Sequence, residues 1–229
     1  MKTIILLPGA LGSAEQFIPL QNLLQNKPIE TVALDLPHHG KSEISLANNS
    51  VPAMAEALLT QMDKLNLNGT LSIFGHSLGG YIGLYLCLNY PNRIEKLFTL
   101  GTKWQWNHQI TEQETKLLNP AIMEQKIPTY VELLKKTHSR NWEFVVKTIA
   151  DLMRDLGENQ YLNPENLGTI HSKIRIAQGD RDNMVNLEES IACFRALSNA
   201  QFQVFPNTKH PYEKISVELL ADEIELFLE

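Results

Sequence analysis

Cysteine is scarce in this sequence, since only Cys87 and Cys193 occur among 229 residues. The two lie far apart, form no CxxC pair and match no ligand spacing of a metal site. This argues against a disulfide framework and against a structural metal. Each cysteine lies in an apolar, helix-like pattern, so we interpret both as buried free thiols.

Basic runs are also missing. No run of lysine or arginine is longer than Lys135-Lys136, and the formal net charge is -6. Proteins that bind nucleic acid cluster basic side chains against the phosphate backbone. We therefore expect no nucleic-acid partner.

Long apolar runs are absent as well. The run at the amino terminus extends only from Ile4 to Leu7 before Pro8, which is too short for the core of a signal peptide. No segment approaches the roughly 18 consecutive apolar residues that suggest a membrane span. We expect a soluble, cytoplasmic protein without a membrane partner, and the pattern leaves a monomer and a homodimer both open.

Short apolar runs alternating with helical patterns are what the sequence does contain. Strands are expected in six places: residues 3–7, 30–36, 71–74, 94–100, 173–178 and 201–205. Strands that alternate with helices predict an α/β fold with a parallel sheet covered on both faces. Ligands bind at the carboxyl ends of such strands, so candidate site residues should directly follow strands.

The alternation breaks at residues 102–170, which contain no convincing strand and are predicted to form several helices. We expect a core of residues 1–101 and 171–229, with 102–170 inserted into it. Aromatic residues of the insertion are predicted to line an apolar substrate pocket that excludes water. These are Trp104, Trp106, Trp142 and Tyr130. The alternative is that they only pack the insertion onto the core.

The segment SIFGHSLGG, residues 72–80, places Ser77 directly after the third strand and before an apolar helix. Gly-x-Ser-x-Gly in this setting is typical of a nucleophile elbow, a turn so sharp that glycine is needed two residues before and after the serine. Alternatively, Gly75 and Gly79 only permit close packing of helix and strand. We predict that Ser77 is a nucleophile.

A serine nucleophile needs a base, and in this motif the histidine comes last along the chain. Of the four histidines downstream, His108 and His138 fall in the insertion, and His171 lies at the amino end of a strand. His210 follows the last strand, in the loop PNTKHPYE, at the carboxyl edge of the sheet. We therefore predict that His210 is the base.

The base in turn needs an acid that orients it. The acid is expected in the loop GDRDNMV after the fifth strand, which offers Asp180 and Asp182. Aspartate directly after a glycine often serves the turn itself, whereas Asp182 lies farther out and can reach a neighbouring loop. Asp182 is favoured, with Asp180 as the alternative.

Five segments together resemble the α/β-hydrolase superfamily over nearly the whole chain. LLPGALGS resembles its His-Gly-x-x-Gly-Ser segment, LDLPHHGKS its Asp-x-Pro-Gly-His-Gly-x-Ser loop, and FGHSLGG its elbow. QGDRDNMV is similar to Gly-x-x-Asp, which supports Asp182, and NTKHPYE stands where the family has its histidine. Pro8 and His38 depart from the pattern, at positions of histidine and glycine in many relatives, and predict altered pocket edges.

The resemblance implies an α/β-hydrolase fold with a mostly parallel sheet of six strands flanked by helices. In the family's numbering the strands would lie in the order four, three, five, six, seven, eight, without the two amino-terminal strands. The insertion would be a helical lid after the sixth family strand. The oxyanion hole would consist of the backbone amides of Leu78 and Ala10.

These residues predict a carboxylesterase-like serine hydrolase. It would cleave an ester or related acyl bond of a small, largely apolar acyl substrate through an acyl-enzyme on Ser77, without metal or organic cofactor. One alternative is a lyase or carbon–carbon bond hydrolase using the same triad. The insertion resembles that of the menaquinone-pathway lyase branch, which binds acidic substrates with arginines, yet it offers only Arg140 and Arg154. Another alternative is a ligand receptor without turnover.

Overall fold

The computed structural model describes residues 2–138 and 141–229, so Arg140 lies outside the described residues. Within them the strands are β1 (Lys2–Leu7), β2 (Ile29–Ala33), β3 (Leu71–His76), β4 (Ile94–Leu100), β5 (Lys173–Gly179) and β6 (Ala200–Phe205). They form one sheet in the order β2-β1-β3-β4-β5-β6. All neighbouring strands pair in parallel. The predicted fold class and strand order are confirmed.

Helices cover this sheet and fill the connection between β4 and β5. In chain order they are α1 (Ile18–Leu24), α2 (Val51–Lys64), α3 (Leu78–Asn89), α4 (His108–Thr115), α5 (Pro120–Lys126), α6 (Pro128–Thr137), α7 (Trp142–Asn159), α8 (Pro164–Leu167), α9 (Leu187–Ala196) and α10 (Val217–Leu228). Helices α4 to α8 belong to residues 102–170, which we call the helical segment.

The sheet is buried on both faces because consecutive side chains of a strand point to opposite sides. Ile4 and Leu6 of β1 belong to a hydrophobic cluster with side chains of α1 and α10. Ile5 and Leu7 belong to a second cluster with side chains of α2 and α3. All four strand residues are fully buried, so one short apolar run anchors both layers of helices.

The helical segment shares its buried surface with the core. Its longest helix, α7, buries Val145, Ile149, Leu152 and Leu156 on one face, the spacing of an amphipathic helix. These side chains belong to the same cluster as those of α2 and α3. The division into a core and a lid therefore stays a prediction, since side chains of both parts belong to one hydrophobic cluster.

Local details of the helices follow their capping residues. Ser50 caps α2, accepting from the amide of Ala53 at 3.4 Å, as expected of a serine at this position. Ser13 precedes the first helical turn, but its side chain makes no such bond and a 3₁₀ turn precedes α1. The amide of Ala14 is bonded instead to Asp35 Oδ1, at 2.7 Å.

The two cysteines lie in the interior of the protein. Cys87 and Cys193 are buried and free, as predicted. None of the helices within residues 2–138 and 141–229 has both the length and the apolar character that a membrane crossing requires.

Candidate active site

Ser77 lies at the junction of β3 and α3, with φ 49° and ψ -114°. This conformation is unfavourable for a residue other than glycine, by about 1–3 kcal/mol. Two hydrogen bonds stabilise the backbone of Ser77 in this conformation. The Ser77 amide donates to the Leu100 carbonyl at 2.9 Å, and the Thr102 hydroxyl donates to the Ser77 carbonyl at 3.1 Å.

Glycine is required on both sides of Ser77. A Cβ added at Gly75 would lie 2.5 Å from the backbone of Gly79, and one at Gly79 would clash with the Leu7 carbonyl oxygen. Both clashes involve backbone atoms, which cannot rotate away. The sharp turn thus brings β1, β3 and α3 into direct backbone contact and directs the serine hydroxyl away from the sheet.

The structure brings Ser77, His210 and Asp182 together at the carboxyl edge of the sheet. His210 Nε2 lies 3.2 Å from Ser77 Oγ, and His210 Nδ1 lies 2.8 Å from Asp182 Oδ2. The Nδ1 atom donates its proton to the carboxylate, so Nε2 is left to accept the serine proton. This is the arrangement of a nucleophile, a base and an orienting acid.

Asp182 is buried, with 2% of its side chain exposed. Its Oδ1 atom accepts hydrogen bonds from the amides of Met184, at 2.8 Å, and Val185, at 3.0 Å. Burial alone raises the pKa of Asp182, but the hydrogen bond and charge of His210 and the two amides outweigh it, so the pKa is lowered. The carboxylate is therefore ionised at neutral pH.

Asp180, the alternative acid, has another role. Its exposed side chain accepts a hydrogen bond from the amide of Thr208 at 3.1 Å, two residues before His210. Asp180 therefore ties the loop after β6 to the loop after β5. It does not contact the histidine.

His76 precedes the nucleophile and supports the base from behind. Its Nε2 atom donates to the backbone carbonyl of His210 at 2.9 Å. Burial, together with the charge of His210, lowers the pKa of His76 to about 4, so the ring is neutral at physiological pH. The sequence does not predict this contact, because His76 and His210 are 134 residues apart. The only local signal is the position of His76 directly before Ser77.

Two residues proposed to donate backbone amides, Leu78 and Ala10, line the same cavity as Ser77. Leu78 is the first residue of α3, so its amide has no acceptor within the helix. The Ala10 amide makes no hydrogen bond within residues 2–138 and 141–229. Ala10, Ser77 and Leu78 all line one cavity, and a Cβ at Gly9 would lie 3.1 Å from Ser77 Cβ. The loop after β1 thus approaches the serine closely enough for its amide to serve an oxyanion hole.

The cavity above Ser77 is small and mostly apolar. Its volume is about 40 Å³. Its lining consists of Ala10, Ser77, Leu78, Tyr81, Lys103, Trp106, Ile149, Leu152, Met153 and Leu156. The helix α7 therefore forms one wall, at the helical spacing 149, 152, 153 and 156, a signal in the sequence that the aromatic prediction overlooked.

Of the four aromatic residues predicted for the pocket, Trp106 lines the cavity and the other three do not. The indole of Trp104 is buried and donates to the Glu189 carbonyl of α9 at 2.7 Å, because a buried N–H needs an acceptor. Trp142 is buried at the start of α7. Tyr130 is 39% exposed on α6. These three lie within the helical segment or at its contact with the core.

Neither Pro8 nor His38 is among the residues that line the cavity. His38 has φ 68°, in the region that favours glycine. Its ring bonds to Asn49 Oδ1 at 3.1 Å and packs edge-on against Phe144, with 5.2 Å between ring centroids. The His38 ring thus turns toward α7, and the expected change of the pocket edges at these two positions stays a prediction.

A parallel sheet, a serine on a strand–helix elbow, and a histidine and an aspartate after later strands define the class of α/β hydrolases. A family model described as alpha/beta hydrolase fold matches residues 2–137 of the chain. The chain belongs to this family.

The names of two relatives agree with the family. A 2-hydroxy-6-oxononadienedioate/2-hydroxy-6-oxononatrienedioate hydrolase of Pseudomonas putida is 27% identical over 242 aligned positions, covering 91% of this chain and 81% of that protein. A putative 2-succinyl-6-hydroxy-2,4-cyclohexadiene-1-carboxylate synthase of Haemophilus influenzae is 37% identical over 89 residues, covering 38% of this chain and 34% of that protein.

Other comparisons concern only part of a relative or only the fold. The chain spans 6% of the chloroplastic protein PHYLLO of Arabidopsis thaliana and 37% of a putative carbamate hydrolase RutD of Caulobacter. The solved structure of a putative lipase from Acinetobacter baumannii matches with a TM-score of 0.81 at 24% identity, covering 99% of this chain and 83% of that chain. At this identity the likeness shows the fold.

Proposed function

We propose that this protein is a serine hydrolase that cleaves a carboxylic ester, or a related acyl bond, of a small and largely apolar substrate. The observation that carries the proposal is the relay of hydrogen bonds from Ser77 Oγ through His210 to Asp182, at 3.2 and 2.8 Å. Ser77 lines a cavity whose walls are mostly apolar, and such walls favour an acyl chain over water.

The proposed reaction uses each residue of this relay in turn. Ser77 Oγ attacks the substrate carbonyl while His210 Nε2 accepts its proton, and Asp182 stabilises the imidazolium that forms. The amides of Leu78 and Ala10 donate to the oxyanion. His210 then protonates the leaving alcohol, and a water activated by His210 hydrolyses the acyl-enzyme. These steps require no metal or cofactor from the protein.

The substrate preference follows from the cavity. Trp106 and the α7 side chains Ile149, Leu152 and Met153 form an apolar wall for an acyl chain. At about 40 Å³ the cavity is far below the roughly 300–1,000 Å³ of pockets that bury larger ligands. We therefore propose short acyl groups, and a helical segment that acts as a lid and moves to admit anything longer.

The first test is hydrolysis of p-nitrophenyl esters from acetate to long acyl chains, with wild type, Ser77→Ala and His210→Ala side by side. We expect turnover that is highest for short chains and nearly lost in both variants, while circular dichroism shows all three folded. Turnover retained in either variant would overturn the proposed site. A folded wild type without turnover would overturn the esterase proposal.

A second candidate is cleavage of a carbon–carbon bond, or a lyase reaction, in which His210 removes a substrate proton. The names of two relatives, an oxononadienedioate hydrolase and a cyclohexadiene carboxylate synthase, favour it. Against it, Arg154 pairs with Asp151 at 2.6 Å on the exposed side of α7 and does not line the cavity. Consumption of an unsaturated oxo-dioate without ester turnover would support this candidate. Binding of a ligand without any turnover would instead indicate a receptor.

A further inference from the structure

The loop that carries the Ala10 amide is a tight turn. The Gly12 amide donates to the Gly9 carbonyl at 3.1 Å, so residues 9–12 form a β-turn. Its third residue, Leu11, has φ 61°, the positive value that a type II turn needs and usually obtains from glycine. The turn fixes the Gly9 carbonyl, and the Ala10 amide in the same peptide plane then points the opposite way.

Both backbone polar atoms of Leu11 are held by histidine rings. The Leu11 amide donates to His39 Nε2 at 3.3 Å. The Leu11 carbonyl accepts from His138 Nε2 at 3.0 Å. Both rings are buried and meet nearly perpendicularly, with 5.6 Å between their centroids. A leucine can therefore keep the turn conformation because its peptide groups are held from both sides.

The backbone partners of the two rings decide which nitrogen carries the proton. His39 Nδ1 lies 2.8 Å from the Pro37 carbonyl, which only accepts, so Nε2 is free to accept from Leu11. The Gly40 amide donates to His138 Nδ1 at 2.9 Å, so Nε2 of His138 carries the proton and donates to Leu11. Burial lowers the pKa of both rings, that of His39 to about 3.

The two histidines come from different parts of the molecule. His39 lies in the loop after β2, in the core. His138 directly follows α6, in the helical segment, 127 residues from Leu11. The loop that carries the Ala10 amide is thus held from two sides. His39 binds it to the core, and the imidazole of His138 binds it to the helical segment.

We propose that His138 is a positioning residue that couples docking of the helical segment to the orientation of the Ala10 amide. With the segment in place, the His138 ring holds Leu11 in its left-handed conformation, and the turn directs the Ala10 N–H toward the Ser77 cavity. When the segment lifts, the carbonyl of Leu11 loses its donor and the oxyanion hole is incomplete. The inference rests on the proposed function, in which Ala10 stabilises the oxyanion.

The test compares His138→Leu, His138→Gln and a matched control. His138→Leu removes the donor and should lower kcat for a short p-nitrophenyl ester by at least about tenfold, approaching the 10²–10³-fold typical of one lost oxyanion donor. KM should stay within about twofold, because the turn acts on the transition state. His138→Gln retains an N–H that can reach Leu11 and should recover part of kcat.

The control is Phe144→Ala. Phe144 packs against His38 at the same contact between segment and core but makes no bond to Leu11, so kcat should stay near that of wild type. Hydrogen exchange of a peptide covering residues 8–14 gives a readout that does not need activity. It should rise in His138→Leu and remain unchanged in Phe144→Ala.

The outcomes separate the two proposals. Unchanged kcat and unchanged exchange in His138→Leu, with an active wild type, would overturn the inference and leave the esterase proposal standing. A rise in KM with constant kcat would also overturn it, since that would assign His138 to substrate binding. If the wild type lacks Ser77-dependent turnover, the proposed function fails, and exchange alone decides whether His138 holds the turn.

Discussion

The elbow around Ser77 and the wall formed by α7 face each other across one cavity, yet their sequences specify them differently. At the elbow, a Cβ at Gly75 would lie 2.5 Å from the backbone of Gly79, and Ser77 itself has a positive φ. On α7, any apolar side chain of suitable volume could stand at 149, 152, 153 or 156. Backbone geometry admits few residue types, whereas side-chain lining admits many.

This contrast has a chemical reason. Proton transfer and oxyanion stabilisation depend on atoms placed within a few tenths of an ångström, so the elbow and the loops after β5 and β6 must be rigid. Fit to an acyl chain depends mainly on volume and apolar area, which a helix can supply in many ways. The elbow therefore predicts a reaction type, and α7 predicts only a range of substrates.

The largest loss of activity is expected from a change at the orienting acid, Asp182, which belongs to the rigid part of the site. Asp182→Asn should lower kcat by about 10³–10⁴-fold, because an amide neither stabilises the imidazolium nor enforces the correct tautomer of His210. Asp180→Asn keeps an acceptor for the Thr208 amide and should change kcat less than threefold. Steady-state kinetics on a short ester decide between them. Similar losses in both variants would mean that the two carboxylates share the role.

A smaller effect is expected on the substrate side. Met153→Ala enlarges the cavity on α7 and should raise kcat/KM for hexanoate relative to acetate by about tenfold, the scale of one methylene in an apolar pocket. Leu133→Ala, which truncates an exposed side chain of α6, should leave that ratio unchanged. The measurement is the chain-length profile of both variants. An unaltered profile in Met153→Ala would place the acyl group elsewhere.

The smallest effect is expected from His39→Gln, which should change the pH dependence of folding stability. Burial lowers the pKa of His39 from 6.5 to about 3. Between pH 6.5 and pH 3 the histidine is therefore protonated in the unfolded chain and neutral in the folded chain. Stability should therefore fall as pH drops from about 6.5 toward 3. In His39→Gln this part of the pH dependence should be reduced, as urea unfolding at several pH values would show. An unchanged slope would contradict a buried neutral ring.

Much of the fold could be predicted because it rests on local patterns. Short apolar runs separated by helical periods specify six parallel strands, and their order follows from the family resemblance. Pro128 stands in the first turn of α6, and the Ser216 side chain caps α10 by accepting from the Leu219 amide, which are local signals of a helix start. Ser13 does not cap the turn before α1, because Asp35 of a distant loop binds the Ala14 amide instead.

The candidate site divides in the same way. Ser77, Asp182 and His210 each follow a strand, so their meeting could be anticipated from the sheet alone. Trp104 could not be placed, because whether an indole faces a pocket or a carbonyl of α9 depends on packing between segments that are 85 residues apart. The same holds for His138, whose partner Leu11 lies 127 residues away in the sequence.

The sequence by itself determined the parallel sheet, the glycine-flanked serine and the positions of histidine and aspartate along the chain, because backbone turns and strand ends carry strong local signatures. Only the tertiary structure decided which side chains line the cavity, that His76 supports the base, and that His39 and His138 hold Leu11 from opposite sides. These contacts join residues far apart in sequence, and a buried polar group is satisfied by whichever partner the final packing brings within hydrogen-bond distance.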